Sequence, residues 1–264
     1  MRRSPVVGSN TFFQRDLTFL DARRIISQMT NHQQVTARMQ SLIQQMENAS
    51  DRRAIFLRCY LLMTQNMLKA IEVGEFTDPS WVSTLLDRFA DYYFDALNAY
   101  ELNSPATPAV WRLTHRAAGR SETLVLQNLL LGINAHINYD LVLTLVEMLE
   151  PEWRKLALQQ REERYADHCH VNHIIGQTID TVQDEVVEDY SPLLDVVDKM
   201  MGRIDEWLIS RLITDWRDEV WDEAIHMLET ADPDERQRLR QQIEEAALKR
   251  ADTILLNRSG IDKG

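Results

Sequence analysis

The sequence predicts an all-α fold: a single compact multi-helix domain of about nine or ten helices around a central buried helix at about residues 121–149. Three observations lead there. Glycine and proline number only 8 and 7 in 264 residues, too few for the turns that many short strands need. Prolines fall where helices begin: Asp78-Pro79, Thr107-Pro108, Ser191-Pro192 and Asp232-Pro233 each set a capping side chain before a residue with no N–H to leave orphaned. No alternating apolar–polar run of strand length, internal repeat or low-complexity linker breaks the helical periodicity.

Taken in order, residues 1–16 lack periodicity and read as an N-terminal arm before a core domain at 17–230. Thr18 with Asp21 suggests a capping-box variant for a first helix carrying Leu20, Ile25 and Met29. Gln33 to Met46 reads as a second helix, with Val35, Met39, Leu42, Ile43 and Met46 in one stripe. A third runs from Asp51 to about Val73 through Ile55, Phe56, Cys59, Tyr60, Met63, Met67 and Ile71, and Gly74 stops it. The remaining helices fall at 79–102, 108–118, 121–149, 151–163, 164–184, 192–229 with a break near Gly202, and 233–257. The 79–102 helix buries Leu85, Leu86, Phe89, Tyr93 and Leu97, and Trp207, Trp216 and Trp221 join the apolar stripe of 192–229. The last helix is rich in Glu, Arg and Gln, so 231–264 reads as a peripheral helix and tail.

Charge and composition narrow the function classes. A net charge of −12 repels phosphate backbones and anionic lipid, which argues against nucleic acid or membrane as the main partner. Cys59 and Cys169 alone make neither a disulfide framework nor a thiolate zinc site, and a reduced cytoplasmic protein is the simplest expectation. Arg2 and Arg3 are not followed by the apolar core of a signal peptide. The most apolar window, Leu124 to Leu149, contains Asn134, His136, Asn138, Asp140 and Glu147, a load expected of a buried helix rather than a membrane span.

That window also concentrates the unusual chemistry. At about 100° per residue, Gly132, His136 and Asp140 share one side of the helix, and Gln127, Asn134 and Asn138 lie nearly opposite. A helix with two polar stripes is surrounded by protein, and each stripe must find hydrogen bonds. A second cluster, Arg164 to His173, holds three histidines. Periodicity through Val171, Ile174, Ile175, Thr178 and Ile179 turns Asp167, His168 and Asn172 inward and leaves His170 and His173 toward solvent.

Together the two helices supply a candidate site. His136, Asp140, Asp167 and His168 form a ligand set suited to zinc or iron. Without metal, His136, Asp140 and His168 become the candidate catalytic acid/base groups, with Asn134, Asn138 and Asn172 as candidate ligand- or cofactor-binding amides. The alternative is a non-catalytic small-molecule-binding or interaction protein, whose buried polar groups tie helices together. Trp111-Arg112 and His115 read first as surface stacking and snorkelling, with the cavity as the alternative. No phosphate loop, nucleophile elbow, dinucleotide fingerprint or HExxH motif occurs.

The run Leu130 to Leu141, with its GxNAHINxDL box, followed by Asp167-His168 and Val171-Asn172 as a DHxxVN box, resembles an uncharacterised family of bacteria and fungi. The likeness spans about residues 35 to 230 and includes the Phe89–Leu97 segment and the Trp111-Arg112 pair. It implies an all-helical domain and brings no established activity. A looser pattern likeness is to the helical zinc phospholipase C and single-strand nuclease fold, which repeats His-xxx-Asp/Glu pairs. His136-xxx-Asp140 is similar to one such pair, and His168-xxx-Asn172 to a second in which asparagine replaces the carboxylate.

Overall fold

The fold is described from a computed structural model over residues 19–182, Val186, Tyr190 and residues 206–256. The arm at 1–16, the Ser191-Pro192 junction and the break expected near Gly202 lie outside the described residues. In chain order the helices are α1 (Phe19–Asn48), α2 (Ala54–Glu72), α3 (Pro79–Glu101), α4 (Ala109–Ala118) and α5 (Val125–Ala135). A π-helical turn (His136–Leu141) joins α5 to α6 (Val142–Leu149), and α7 (Leu158–Val182), α8 (Glu206–Glu229) and α9 (Pro233–Leu256) follow. Counting α5, the π turn and α6 as one rod, the described residues form eight helices and no strand, close to the expected nine or ten.

Two merged helices account for part of the difference in number. The stretches read as separate helices before and after Gln33 form the single 30-residue α1. Likewise the expected 151–163 and 164–184 helices become turns to Leu156 and one continuous α7. Neither His32-Gln33 nor Glu163-Arg164 holds a residue that stops a helix, so neighbouring turns simply propagate.

Local chemistry ends the helices that do stop. Gly74 adopts φ +80°, with its N–H bonded to the Ile71 carbonyl and the Glu75 N–H to the Ala70 carbonyl. This pairing satisfies the last carbonyls of α2 through a left-handed residue. Asp78 caps α3 by accepting from the Trp81 N–H at 3.0 Å, with Pro79 in the first turn. Asp232 accepts from the Asp234 N–H at 3.0 Å at the start of α9. Thr107 is different: its hydroxyl donates to the Ser104 carbonyl, and the Ala109 N–H of α4 is met by Glu244 of α9.

The α5–π–α6 rod is the middle of the fold. It is contacted by α2, α3, α4, α8 and α9. Leu131, Leu145 and Leu149 are fully buried along it, each contributing about 1.5–3 kcal/mol over an exposed position. Val125–Leu149 is long and apolar enough to cross a membrane by length and composition, and 83% of its most apolar window is buried inside the fold. The last helix, α9, covers α4 and α5 with Ile243, Ala247 and Ala251, so its polar composition describes only its outer face.

Candidate functional site

The π turn carries the first half of the site. His136 Nδ1 stands 3.0 Å from Asp140 Oδ2, and the indole N–H of Trp111 donates to both carboxylate oxygens at 3.1 and 2.9 Å. All three side chains are buried. Burial pushes the Asp140 carboxyl well up and His136 well down, while the indole N–H favours the ionised carboxylate. Asp140 thus fixes the ring through Nδ1 and leaves Nε2 as the free end of the pair. That Nε2 is buried and has no hydrogen-bond partner among the described residues.

Aromatic rings set the plane of this imidazole. Phe89 from α3 lies parallel to it, with centroids 3.5 Å apart and 8° between planes. Tyr60 from α2 meets it edge-on at 4.3 Å. The Tyr60 hydroxyl is also buried without a partner among the described residues, and burial followed by the Asp140 charge holds its pKa well above the usual phenol value. One turn before His136, Gly132 lets α2 come close. A Cβ there would lie 2.3 Å from Phe56 Cγ and 2.4 Å from Cδ2. The glycine therefore admits the ring that itself contacts Tyr60, Trp111 and His136.

Both His136 and Tyr60 line a cavity of about 150 Å³ between α2, α3, α5, α7 and α8. Its wall is otherwise largely aliphatic and aromatic, including Met63, Leu85, Phe89, Ile133, Ile175 and Ile213. Cys59 also lines it, and burial pushes the thiol up to about 12, which removes thiolate reactivity at neutral pH. Among the described residues, one further ionisable group lines this space: Arg217 of α8.

The second predicted cluster serves that arginine. Arg217 Nε donates to Asn172 Oδ1 at 2.7 Å, and Nη2 donates to the His168 carbonyl at 2.8 Å. His168 Nε2 in turn lies 3.0 Å from the Arg217 carbonyl, and its Nδ1 is 3.3 Å from Nη2. A carbonyl only accepts, so Nε2 carries the proton and Nδ1 accepts from the guanidinium. Burial and then the Arg217 charge hold His168 well below its usual pKa. Asp167 is occupied differently, its two oxygens accepting from the Thr77 and Asp78 N–H groups at 2.7 and 2.8 Å. It ties α7 to the α2–α3 turn.

These contacts place the four residues of the expected ligand set in separate arrangements. His136 and Asp140 do meet, but Asp167 is filled by backbone amides and His168 by both ends of Arg217. Among the described residues, no group of three or more His, Cys, Asp and Glu side chains is arranged to hold a metal ion. His168 likewise has no ring nitrogen left for acid/base work, and Asn172 holds a guanidinium. Asn134 donates to the Ala247 carbonyl of α9 at 2.9 Å and accepts from Asn138 at 3.0 Å, so this amide pair joins two helices. As expected, His170 and His173 lie on the outer side, beside Glu75 and Gln177.

Trp111 is fully buried, contrary to the surface reading, because its N–H is the donor that the buried Asp140 requires. Arg217 escaped sequence reasoning altogether. Its signal was present: Ile213, Arg217 and Trp221 stand four residues apart on the buried face of α8.

No curated protein and no solved structure matches this chain. Residues 32–257 match the model of a family of unknown function (DUF5995), a span that holds the cavity and every side chain around it, and the chain belongs to that family.

Proposed function

We propose that this protein binds a small, largely apolar molecule in the α2–α3–α5–α7–α8 cavity, and that His136 Nε2 makes the hydrogen bond that orients it. The observation carrying this reading is an imidazole nitrogen, unpartnered among the described residues, in the wall of a largely apolar cavity. Ligand pockets combine apolar walls with a few placed polar groups. A buried polar atom left unbonded costs about 1–3 kcal/mol, which a complementary ligand atom would recover. A volume of about 150 Å³ suits a single ring or a short chain, since apolar cavities of that size take benzene.

The test is calorimetric titration with phenol and toluene. Phenol is expected to bind more tightly than toluene, His136→Leu to remove the difference, and Ile179→Trp to abolish both by filling the cavity. No binding of either compound, with a raised Tm for Ile179→Trp, would mark the cavity as a packing void and overturn the reading.

A second reading rests on the Trp111–Asp140–His136 chain itself. A carboxylate that orients an imidazole through Nδ1 leaves Nε2 able to take a proton from a bound molecule. That reading adds turnover to binding. It predicts that His136→Leu loses turnover while toluene affinity is kept.

A further inference from the structure

We infer that the cavity selects a monoanionic ligand, an apolar carboxylate, through Arg217. The inference rests on the cavity being a ligand site and goes beyond it in naming the ligand's charge. Arg217 is only 5% exposed. Its contacts are the Asn172 amide oxygen, the His168 ring and the His168 carbonyl, all uncharged. No ion pair to it occurs among the described residues, whose ion pairs otherwise join most buried and half-buried arginines to a carboxylate, Arg53 and Arg164 among them.

A buried cation held by neutral acceptors, with Asp218 acting on it only through space, lacks a directly paired anion among the described residues. The hydrogen bonds fix Nε and Nη2 and leave Nη1 without one among the described residues, and the Arg217 residue lines the cavity. Burial alone accounts for the fall of the guanidinium pKa to about 10, so the group stays charged at neutral pH. One guanidinium balances one negative charge. A dianionic phosphate monoester would leave a second charge in an apolar wall, whereas a carboxylate would not. The His136 and Tyr60 polar atoms then serve a second polar group of the same ligand.

The experiment compares benzoate with benzamide, and hexanoate with hexanamide, by calorimetry at pH 7. Each pair matches in shape and differs in charge. The acid is expected to bind roughly tenfold or more tightly than its amide, the ratio of one charge-assisted hydrogen bond. Arg217→Met is expected to remove the preference and keep amide affinity. Amides that bind as well as the acids would overturn charge selection while leaving the cavity a ligand site. A preference that persists in Arg217→Met would overturn the assignment to Arg217. Binding of neither member of either pair would overturn both readings. Arg217→Met also strips donors from His168 and Asn172, so the wild-type ratio decides alone where that variant fails to fold.

Discussion

Asp140 sits 1% exposed with Trp111 as its donor and His136 as its neighbour, so each of the three side chains sets the state of the others. Trp111→Phe keeps an aromatic ring and removes that donor. Chemical denaturation is expected to show a loss of about 1–3 kcal/mol, the cost of leaving a buried acceptor short of a bond. Tyr60→Phe should do the opposite, leaving stability unchanged or raised, because the hydroxyl it removes has no partner to lose among the described residues. His115, stacked on Trp111 with centroids 5.2 Å apart, supplies a pH test. Burial, then Arg53, pulls its pKa down from 6.5 to about 3. A depressed folded-state pKa means the unfolded chain binds more protons. The stability His115 contributes is therefore complete above pH 6.5 and lost as pH falls toward 3. Asp140 and Asp87, raised by burial, act in the opposite sense, so the readout is a difference. Between pH 6.5 and 4, Tm of His115→Phe should fall less steeply than that of wild type. Parallel profiles would contradict a buried neutral His115.

Among the elements, the α5–π–α6 rod carries the most consequence. π-helical turns often mark functional sites, and here one spans His136–Leu141 and holds both members of the His–Asp pair. Periodicity placed Gly132, His136 and Asp140 on one side, and the structure finds there Phe56 against the first, the cavity at the second and Trp111 on the third. The wider turn itself has no signal in hydrophobic spacing, because His136 and Asp140 meet at i,i+4 in either geometry. Gly132→Ala tests the close approach. Alanine favours an isolated helix by about 1 kcal/mol, but its Cβ would overlap the Phe56 ring, and overpacking typically costs about 1–3 kcal/mol. Net destabilisation by thermal melting is expected. In the Phe56→Leu background the penalty should shrink or reverse. An equal penalty in both backgrounds would place the strain elsewhere.

At the scale of the whole molecule, the two polar stripes of the central rod do different work. The His136 side faces the cavity, and the Asn134 side fastens α9 through the Ala247 carbonyl. Glu244 on the N-terminus of α4 and Gln127, which donates to the Ile254 carbonyl at 2.9 Å, add further ties to the same helix. Asn134→Ala leaves Asn138 without its acceptor and α9 without a donor. A loss of about 1–3 kcal/mol is expected, with faster proteolysis of α9. Toluene affinity should not change, because Asn134 does not line the cavity. A matched loss of affinity would show the two sides to be coupled.

What the sequence determined by itself was whatever depends on neighbours along the chain. Scarce glycine, proline at helix starts and 3.6-residue spacing are local quantities, and they settled the helical class, the stop at Gly74, the cap at Asp78 and the burial of the central rod. The inward set Asp167, His168 and Asn172 was legible for the same reason. Which groups these residues meet was decided only by the tertiary structure. Asp167 faces amides 89 and 90 residues away, His168 and Asn172 face an arginine 49 and 45 residues away, and Asp140 faces an indole 29 residues back. Periodicity gives the direction of a side chain and says nothing of the helix that direction points to. So four plausible metal ligands became two separate devices, one holding an imidazole at the cavity wall and the other an arginine, once α3, α4 and α8 had packed against the rod and α7 against α2 and α8.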